Sequence, residues 1–267
     1  MYARTNTQVH VVLPVYNEAG SLESLLSRFE RLAEEGVHLA RILVVDDGSV
    51  DRSAAIAQAF RNRLPVEILT HSTNQGLGRT IQDGLAYIAS LAAPSDVVVS
   101  MDADDTHPPE LIGSMLEALE NGLDIVIASR YQRSARVEGL SRVRIATSYG
   151  ARAVFQVLTP IPNVRDYTCG FRAYRAEALQ MALVRNGGRL SRERGFACMA
   201  EILLAVAAGG ARCGEVPLVL NYRRKGGPSK MNVPGTALHI VQLAMRWRLQ
   251  ARAPKPKDQP TQPRRSA

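Results

Sequence analysis

Three places in this 267-residue chain combine residue types and spacings that could do chemistry. In the run MDADDTH, Asp102 and Asp104 sit two apart, so on an extended turn both carboxylates can face the same side. Clustered like charge costs stability unless a cation compensates it. Mg²⁺ and Mn²⁺ take oxygen ligands, commonly one or two carboxylates completed by substrate phosphates. The pair therefore reads either as a divalent-metal site or as a solvated acidic turn capping the helix that starts at Pro108 and Pro109. His107 reads as a cap or packing residue, since no second histidine is spaced to join it as a ligand.

The second place is VVDDGS, where Asp46 and Asp47 run into a glycine turn. Such turns recruit aspartate for capping, and Asp47 could equally accept hydrogen bonds from a nucleobase or ribose. The third is RRKGGPSK, Arg223 to Lys230. Its glycines, proline and serine predict a mobile turn, and Arg224 and Lys230 could close on a diphosphate and neutralise charge as it departs. Arg130, Arg142 and Arg144 add further cations. The opening PVYNE, Pro14 to Glu18, reads locally as a strand-ending proline with Asn17 as a helix N-cap and Glu18 in the first turn. The stretch NQGLGRTIQDG fits neither a dinucleotide fingerprint nor a P-loop, and is read as a tight turn into a helix packed closely on a sheet. A dinucleotide oxidoreductase would need glycines where PVYNE stands.

These residues fall at the ends of predicted strands. Short β-rich runs at Val9–Leu13, Ile42–Val45, Val66–Leu69, Val97–Met101 and Ile125–Ala128 alternate with helical patterns at Ser21–Glu35, Asp51–Phe60, Arg79–Leu91 and Pro109–Glu120. That rhythm predicts a mostly parallel, Rossmann-like α/β sheet with helices on both faces and its ligand at the carboxyl ends of the strands. Beyond Ala128 the pattern predicts a basic loop, helices at Arg142–Leu158, Ala176–Val184 and Cys198–Ala208, a segment Asp166–Tyr174, and one strand at Val216–Tyr222.

With 46% hydrophobic and 22% charged residues the chain has material for a sizeable core. Its three cysteines form no CxxC pair, which argues against a disulfide framework or cysteine zinc cage and fits a reducing, cytosolic setting. No run of about 18 uncharged apolar residues occurs, so no membrane-spanning segment is expected. The net charge of +8 is concentrated at the end: seven basic residues and one acid from Arg246 onward leave 26 basic against 24 acidic elsewhere. A nucleic-acid-binding body is not indicated. The expected organisation is one domain over residues 1–235, an amphipathic helix at 236–250, and a basic, proline-rich disordered tail at 251–267. TALHIVQLAMRWRL could lie in a bilayer interface, or dock on the body or a partner subunit.

PVYNE, VVDDGS, MDADDTHPPE, DYTCGFRAY and RRKGGPSK, in that order, resemble glycosyltransferase family 2, and more narrowly its dolichyl-phosphate (polyprenyl-phosphate) mannosyltransferases. The likeness covers about Val9 to Met231. It implies a GT-A fold and an inverting, metal-dependent transfer of sugar, mannose from GDP-mannose foremost, to a polyprenyl phosphate. The implied setting is peripheral, on the cytoplasmic face of a membrane, with a separate membrane subunit as a further candidate partner. Carried over motif by motif, it puts the nucleotide against Pro14, Tyr16, Glu18, Val45 and Asp47, and metal and diphosphate at Asp102, Ala103 and Asp104, with Thr106 near the metal. Arg130 would contact the sugar nucleotide, Arg224 and Lys230 the diphosphate, and Arg144 and Ser148 the acceptor phosphate. Asp166 and Glu201 match family acids near the site, Asp166 being a candidate base if the acceptor were an alcohol. Leu140, Tyr149 and Arg152 depart from the family pattern on the acceptor side. UDP-sugar donors, a soluble acceptor, and a non-catalytic sugar-nucleotide or lipid-phosphate binding subunit stand as alternatives.

Overall fold

The computed structural model describes residues 7–139, 142–221 and 233–252, with 142–146, 221, 233–237 and 251–252 described by backbone alone. The first half alternates as expected: β1 (Val9–Val15), α1 (Leu22–Glu34), β2 (Leu39–Asp46), α2 (Ser53–Ala59), β3 (Val66–Thr70), α3 (Leu77–Leu91) and β4 (Val97–Ser100). A 3-10 turn at Pro109–Leu111 then leads into α4 (Ile112–Glu120) and β5 (Ile125–Ser129). The second half adds β6 (Arg136–Glu138), α5 (Arg142–Leu158), β7 (Arg172–Arg175), α6 (Ala176–Arg185), α7 (Cys198–Ala207), β8 (Cys213–Pro217), β9 (Val219–Asn221) and α8 (Val233–Arg252).

Seven strands form one sheet in the order β3-β2-β1-β4-β7-β5-β8. All neighbours pair in parallel except β7, which runs antiparallel between β4 and β5. The apolar runs Val9–Leu13 and Ile42–Val45 are buried on both faces, the signature of strands covered by helices on either side. Gly84 marks where α3 presses on the sheet, for a Cβ there would stand 2.5 Å from Val12 Cγ1 and 2.9 Å from Val45 Cγ2.

Two elements differ from expectation. The predicted strand Val216–Tyr222 is two strands broken at Leu218, β8 closing the main sheet and β9 leaving it to pair with β6. Position 217 is a proline, which has no N–H for a continuing ladder. β6 itself lies within the predicted basic loop; three residues with exposed arginine and glutamate carry no hydrophobic alternation to announce a strand.

α8 packs along α5, with Ile240, Leu243 and Ala244 buried. Its opposite side exposes Leu238, Val241, Met245 and Leu249, one stripe at helical spacing. Docking on the body and an outward apolar stripe thus coexist on this helix. Among the described residues no helix is long and apolar enough to cross a membrane.

Candidate functional site

Parallel pairing of β1 with β2 and β4 brings three strand ends to one edge of the sheet, with Val15 opposite Asp46 and Val12 opposite Ser100. PVYNE, VVDDGS and MDADD therefore emerge side by side. The first two are stitched together: Asn17 N donates to Ser49 Oγ at 3.0 Å, Val50 N to Asn17 Oδ1 at 2.9 Å, Glu18 N to Ser53 Oγ at 2.9 Å, and Ala19 N to Asp51 Oδ2 at 3.0 Å. Asn17 has φ of 53° and is not a helix cap; α1 begins at Leu22, with Ser21 at the cap position. Nor does Pro14 end its strand, which runs to Val15. Tyr16, 36% exposed, stands at the mouth of this edge.

Asp47 is buried and turned inward. Its Oδ1 accepts from Gln75 N at 2.8 Å and His71 Nδ1 lies 2.7 Å away, while Oδ2 accepts from Gly76 N at 2.9 Å. Its carboxylate thus fixes the turn before α3, and Gly48, at φ of 73°, lets that turn approach within 3.0 Å of where a Cβ would sit.

The three aspartates of MDADD are separated in role by their neighbours. Asp105, at φ of 57°, accepts from Arg28 Nη1 at 2.6 Å and Ser24 Oγ at 2.8 Å, so its charge is compensated inside the fold. Arg28 also pairs with Glu110, and although burial alone would lower its affinity for its proton, the two carboxylates hold the guanidinium firmly charged. Asp104 is buried, and its Oδ1 accepts from Thr106 N at 3.2 Å and Thr106 Oγ1 at 2.7 Å. Asp102 keeps a third of its side chain exposed. Its backbone N–H points to His107 Nδ1 at 3.3 Å, and His107 stacks on Phe171. A Cβ on Gly170 would stand 3.2 Å from Asp102 Oδ1, so the absence of a side chain there leaves the carboxylate its space.

Thr106, expected near a metal, donates its hydroxyl to Asp104 Oδ1, a bond that orients that carboxylate. Hard carboxylate oxygens at Asp102 and Asp104 fit Mg²⁺ or Mn²⁺. Among the described residues no group of three or more His, Cys, Asp or Glu could hold a metal ion.

Across the edge, the antiparallel β7 places the 166–171 segment beside Asp102, and Ser100 Oγ donates to Gly170 O at 2.8 Å. Asp166 is fully buried and accepts from Arg130 N, Nε and Nη2 at 3.1, 2.8 and 2.6 Å, and from Cys169 N at 3.1 Å. Burial would raise its pKa, but Arg130 outweighs this and holds the carboxyl below the usual carboxylate range. Both carboxylate oxygens are engaged in these bonds, whereas a candidate base was expected to face the substrate. Asp166 is instead the holder of Arg130, whose side chain remains 18% exposed at the tip of β5.

Ser148, on α5, is hydrogen-bonded through Oγ to Tyr131 Oη at 2.5 Å, and Tyr131 also packs edge-on to Tyr149 and under the Arg152 guanidinium. Tyr131 and Arg28 were missed by sequence reasoning; nothing marks either except proximity to a motif, Arg130 for one and an i, i+4 step from Ser24 for the other. Glu201 is buried on α7, and it accepts from Ser191 Oγ, Arg192 N and Arg246 Nη2. The side chain of Arg144 and the whole of Arg224 and Lys230 lie outside the described residues. Cys169 is buried, which pushes its thiol up to about 12 and leaves it protonated at neutral pH.

The model of glycosyl transferase family 2 matches residues 10–181, the span that carries Pro14 through Asp166. The chain belongs to glycosyltransferase family 2. A dolichol-phosphate mannosyltransferase of Pyrococcus furiosus is 35% identical over 246 residues, 90% of this chain, which spans 64% of that relative's length. An undecaprenyl-phosphate mannosyltransferase of Micrococcus luteus is 31% identical over 92% of this chain and 96% of its own. Among solved structures, glucosyl-3-phosphoglycerate synthase of Mycobacterium tuberculosis superposes with a TM-score of 0.65 at 18% identity, covering 91% of this chain and 80% of its own. Mannosyl-3-phosphoglycerate synthase of Rubrobacter xylanophilus does so at 0.62 and 20%, covering 96% and 79%. This family 2 glycosyltransferase therefore has the GT-A fold, a parallel sheet whose carboxyl edge carries the acidic turn.

Proposed function

We propose that this glycosyltransferase transfers a hexose, mannose from GDP-mannose as the leading donor, onto a polyprenyl phosphate at a membrane surface, with inversion at the anomeric carbon. One observation carries the reading: the sheet order sets the turn after β4, where Asp102 keeps a third of its side chain exposed, between the stitched PVYNE and VVDDGS loops after β1 and β2 on one side and Arg130 with the Tyr131–Ser148 pair after β5 on the other. A nucleoside diphosphate sugar entering that crevice would have its nucleotide against Pro14, Tyr16, Glu18 and Val45, on the turn that Asp47 shapes. Asp102 and Asp104 would hold Mg²⁺ or Mn²⁺ beside the backbone of Ala103. When bound, that ion supplies Lewis-acid stabilisation of the negative charge that grows on the leaving diphosphate.

The chain's own residues do the rest by placement and charge. Arg130, held in one rotamer by Asp166, presents a pre-paid cation to the sugar phosphate. Arg224 and Lys230 would neutralise the departing diphosphate. Ser148 and Arg144, four apart on α5, would orient the acceptor phosphate. Such an acceptor oxygen is already ionised near neutral pH, so no general base is needed, in keeping with Asp166 being sealed away. The named substrates of the Pyrococcus and Micrococcus relatives support the lipid phosphate. The exposed stripe Leu238, Val241, Met245 and Leu249 would lie against the bilayer that supplies it.

The test is a panel of radiolabelled GDP-mannose, UDP-glucose and UDP-N-acetylglucosamine with Mn²⁺, offered a polyprenyl phosphate, a polyprenol or 3-phosphoglycerate. Label from GDP-mannose in the polyprenyl phosphate alone is the expected result. Label only from a UDP sugar would replace the donor. Label only in the polyprenol or phosphoglycerate would overturn the acceptor, and none from any donor would overturn the enzyme reading.

A further inference from the structure

Glu201 anchors a junction between α8 and the crevice. Its Oε2 accepts from Ser191 Oγ at 2.7 Å, Arg192 N at 2.6 Å and Glu193 N at 3.0 Å, which ties down the loop 190–195. Its Oε1 accepts from Arg246 Nη2 on α8 at 2.5 Å, and the same Nη2 lies 3.4 Å from Glu193 Oε1. His239, two turns earlier on α8, places Nδ1 3.8 Å from Glu193 Oε2.

The loop so held is pressed onto the start of α3. Gly78 N donates to Arg194 O at 2.9 Å, and a Cβ on Gly78 would stand 1.7 Å from Glu193 O. Gln82 Oε1 accepts from Leu190 N at 2.6 Å and Ser191 N at 3.2 Å. The turn that opens α3 is the one Asp47 grips through Gln75 N and Gly76 N. A continuous path of charged hydrogen bonds and close backbone contacts thus runs from α8 through Glu201, loop 190–195 and Gly78 to the nucleotide side of the crevice.

We propose that Arg246 is a positioning residue for the nucleotide-sugar donor: by fastening α8 to Glu201 and Glu193, it sets the turn at Asp47. This rests on the donor reading of that crevice. Without Arg246, Glu201 retains three donors and α8 retains Ile240, Leu243 and Ala244 in the core, so the fold is expected to survive while the donor site loosens. An ångström of misplacement costs on the order of 10²-fold in rate at worst.

Arg246→Met, Arg246→Lys and Glu193→Gln test this through GDP binding in Mn²⁺ by calorimetry, and through separate KM values for GDP-mannose and polyprenyl phosphate. Arg246→Met is expected to weaken GDP binding and raise the donor KM about tenfold, with the acceptor KM unchanged. Arg246→Lys should recover most of that, and Glu193→Gln should show a smaller defect of the same kind. Wild-type donor affinity in Arg246→Met, or an equal rise in both KM values, would overturn the positioning role. Should Arg246→Met not fold, a Glu193→Gln protein with unaltered donor KM overturns it instead. If the wild type itself binds neither GDP nor UDP, the donor reading has failed and the inference with it.

Discussion

Arg130 and Asp166 meet through three hydrogen bonds, from the arginine backbone N–H, Nε and Nη2 to a carboxylate with no solvent exposure. Arg130 was expected at the sugar nucleotide and Asp166 among the acids near the site; in the structure Asp166 supports Arg130. Neutralising one member of a buried pair strands the other. Asp166→Asn is accordingly expected to lower stability by about 3 kcal/mol and to reduce turnover, seen as a drop in Tm and in kcat/KM. Arg130→Lys, which cannot make the two-pronged contact, should keep most of the stability but not the donor turnover.

The same pair sets an acid limit. The folded pKa of Asp166 lies below the usual carboxylate value of about 3.9. Its contribution is therefore complete above that value and is lost as the pH falls through the depressed one. Glu110, lowered by Arg28 against the effect of burial, adds to the same limb. Thermal unfolding followed from pH 7 down to pH 2 should show wild type losing Tm more steeply below about pH 4 than Asp166→Asn, so that the two curves converge. Parallel curves would contradict the assignment.

Asp104 and Thr106 should separate in kinetics. Asp104→Ala removes a proposed metal ligand and is expected to abolish turnover. Thr106→Val leaves the carboxylate and removes only the hydroxyl at 2.7 Å that orients it. Partners behind a ligand typically contribute 10–100-fold, so Thr106→Val should retain measurable activity with a raised Mn²⁺ requirement.

Tyr131 and Ser148 share a hydrogen bond on the side proposed for the acceptor. Tyr131→Phe deletes it with little change in volume. One hydrogen bond of this kind amounts to roughly 0.5–1.5 kcal/mol, so the KM for polyprenyl phosphate should rise roughly two- to tenfold with the donor KM unaltered. A donor effect instead would move Tyr131 to the other half of the site.

Much of this was legible in the sequence because the alternation of β-rich and helical runs is strong through residue 129, and parallel topology then dictates which loops share an edge. The boundaries of β1 and β2 erred by a few residues, since Pro14 is tolerated in the strand and Asp46 ends its ladder. The second half was harder to read. β7 inserts antiparallel between β4 and β5, two strands that both precede it in the chain, and β6 and β9 are too short to show a period. Roles within the acidic turn were hidden for a different reason: Thr106, Ser24 and Arg28 distinguish Asp104 from Asp105, and the last two lie about 80 residues away in sequence. Burial likewise distinguished Asp166 from Asp102, which by residue type alone are equivalent.

Calorimetric titration of GDP into the wild-type protein and Asp102→Asn, each with Mn²⁺ and with EDTA, tests most directly whether the acidic turn grips a metal–diphosphate unit. Wild type is expected to bind at least tenfold more tightly with Mn²⁺ than with EDTA, and Asp102→Asn to lose that difference. Equal affinity in wild type with and without metal, or a metal dependence that survives in Asp102→Asn, would contradict it.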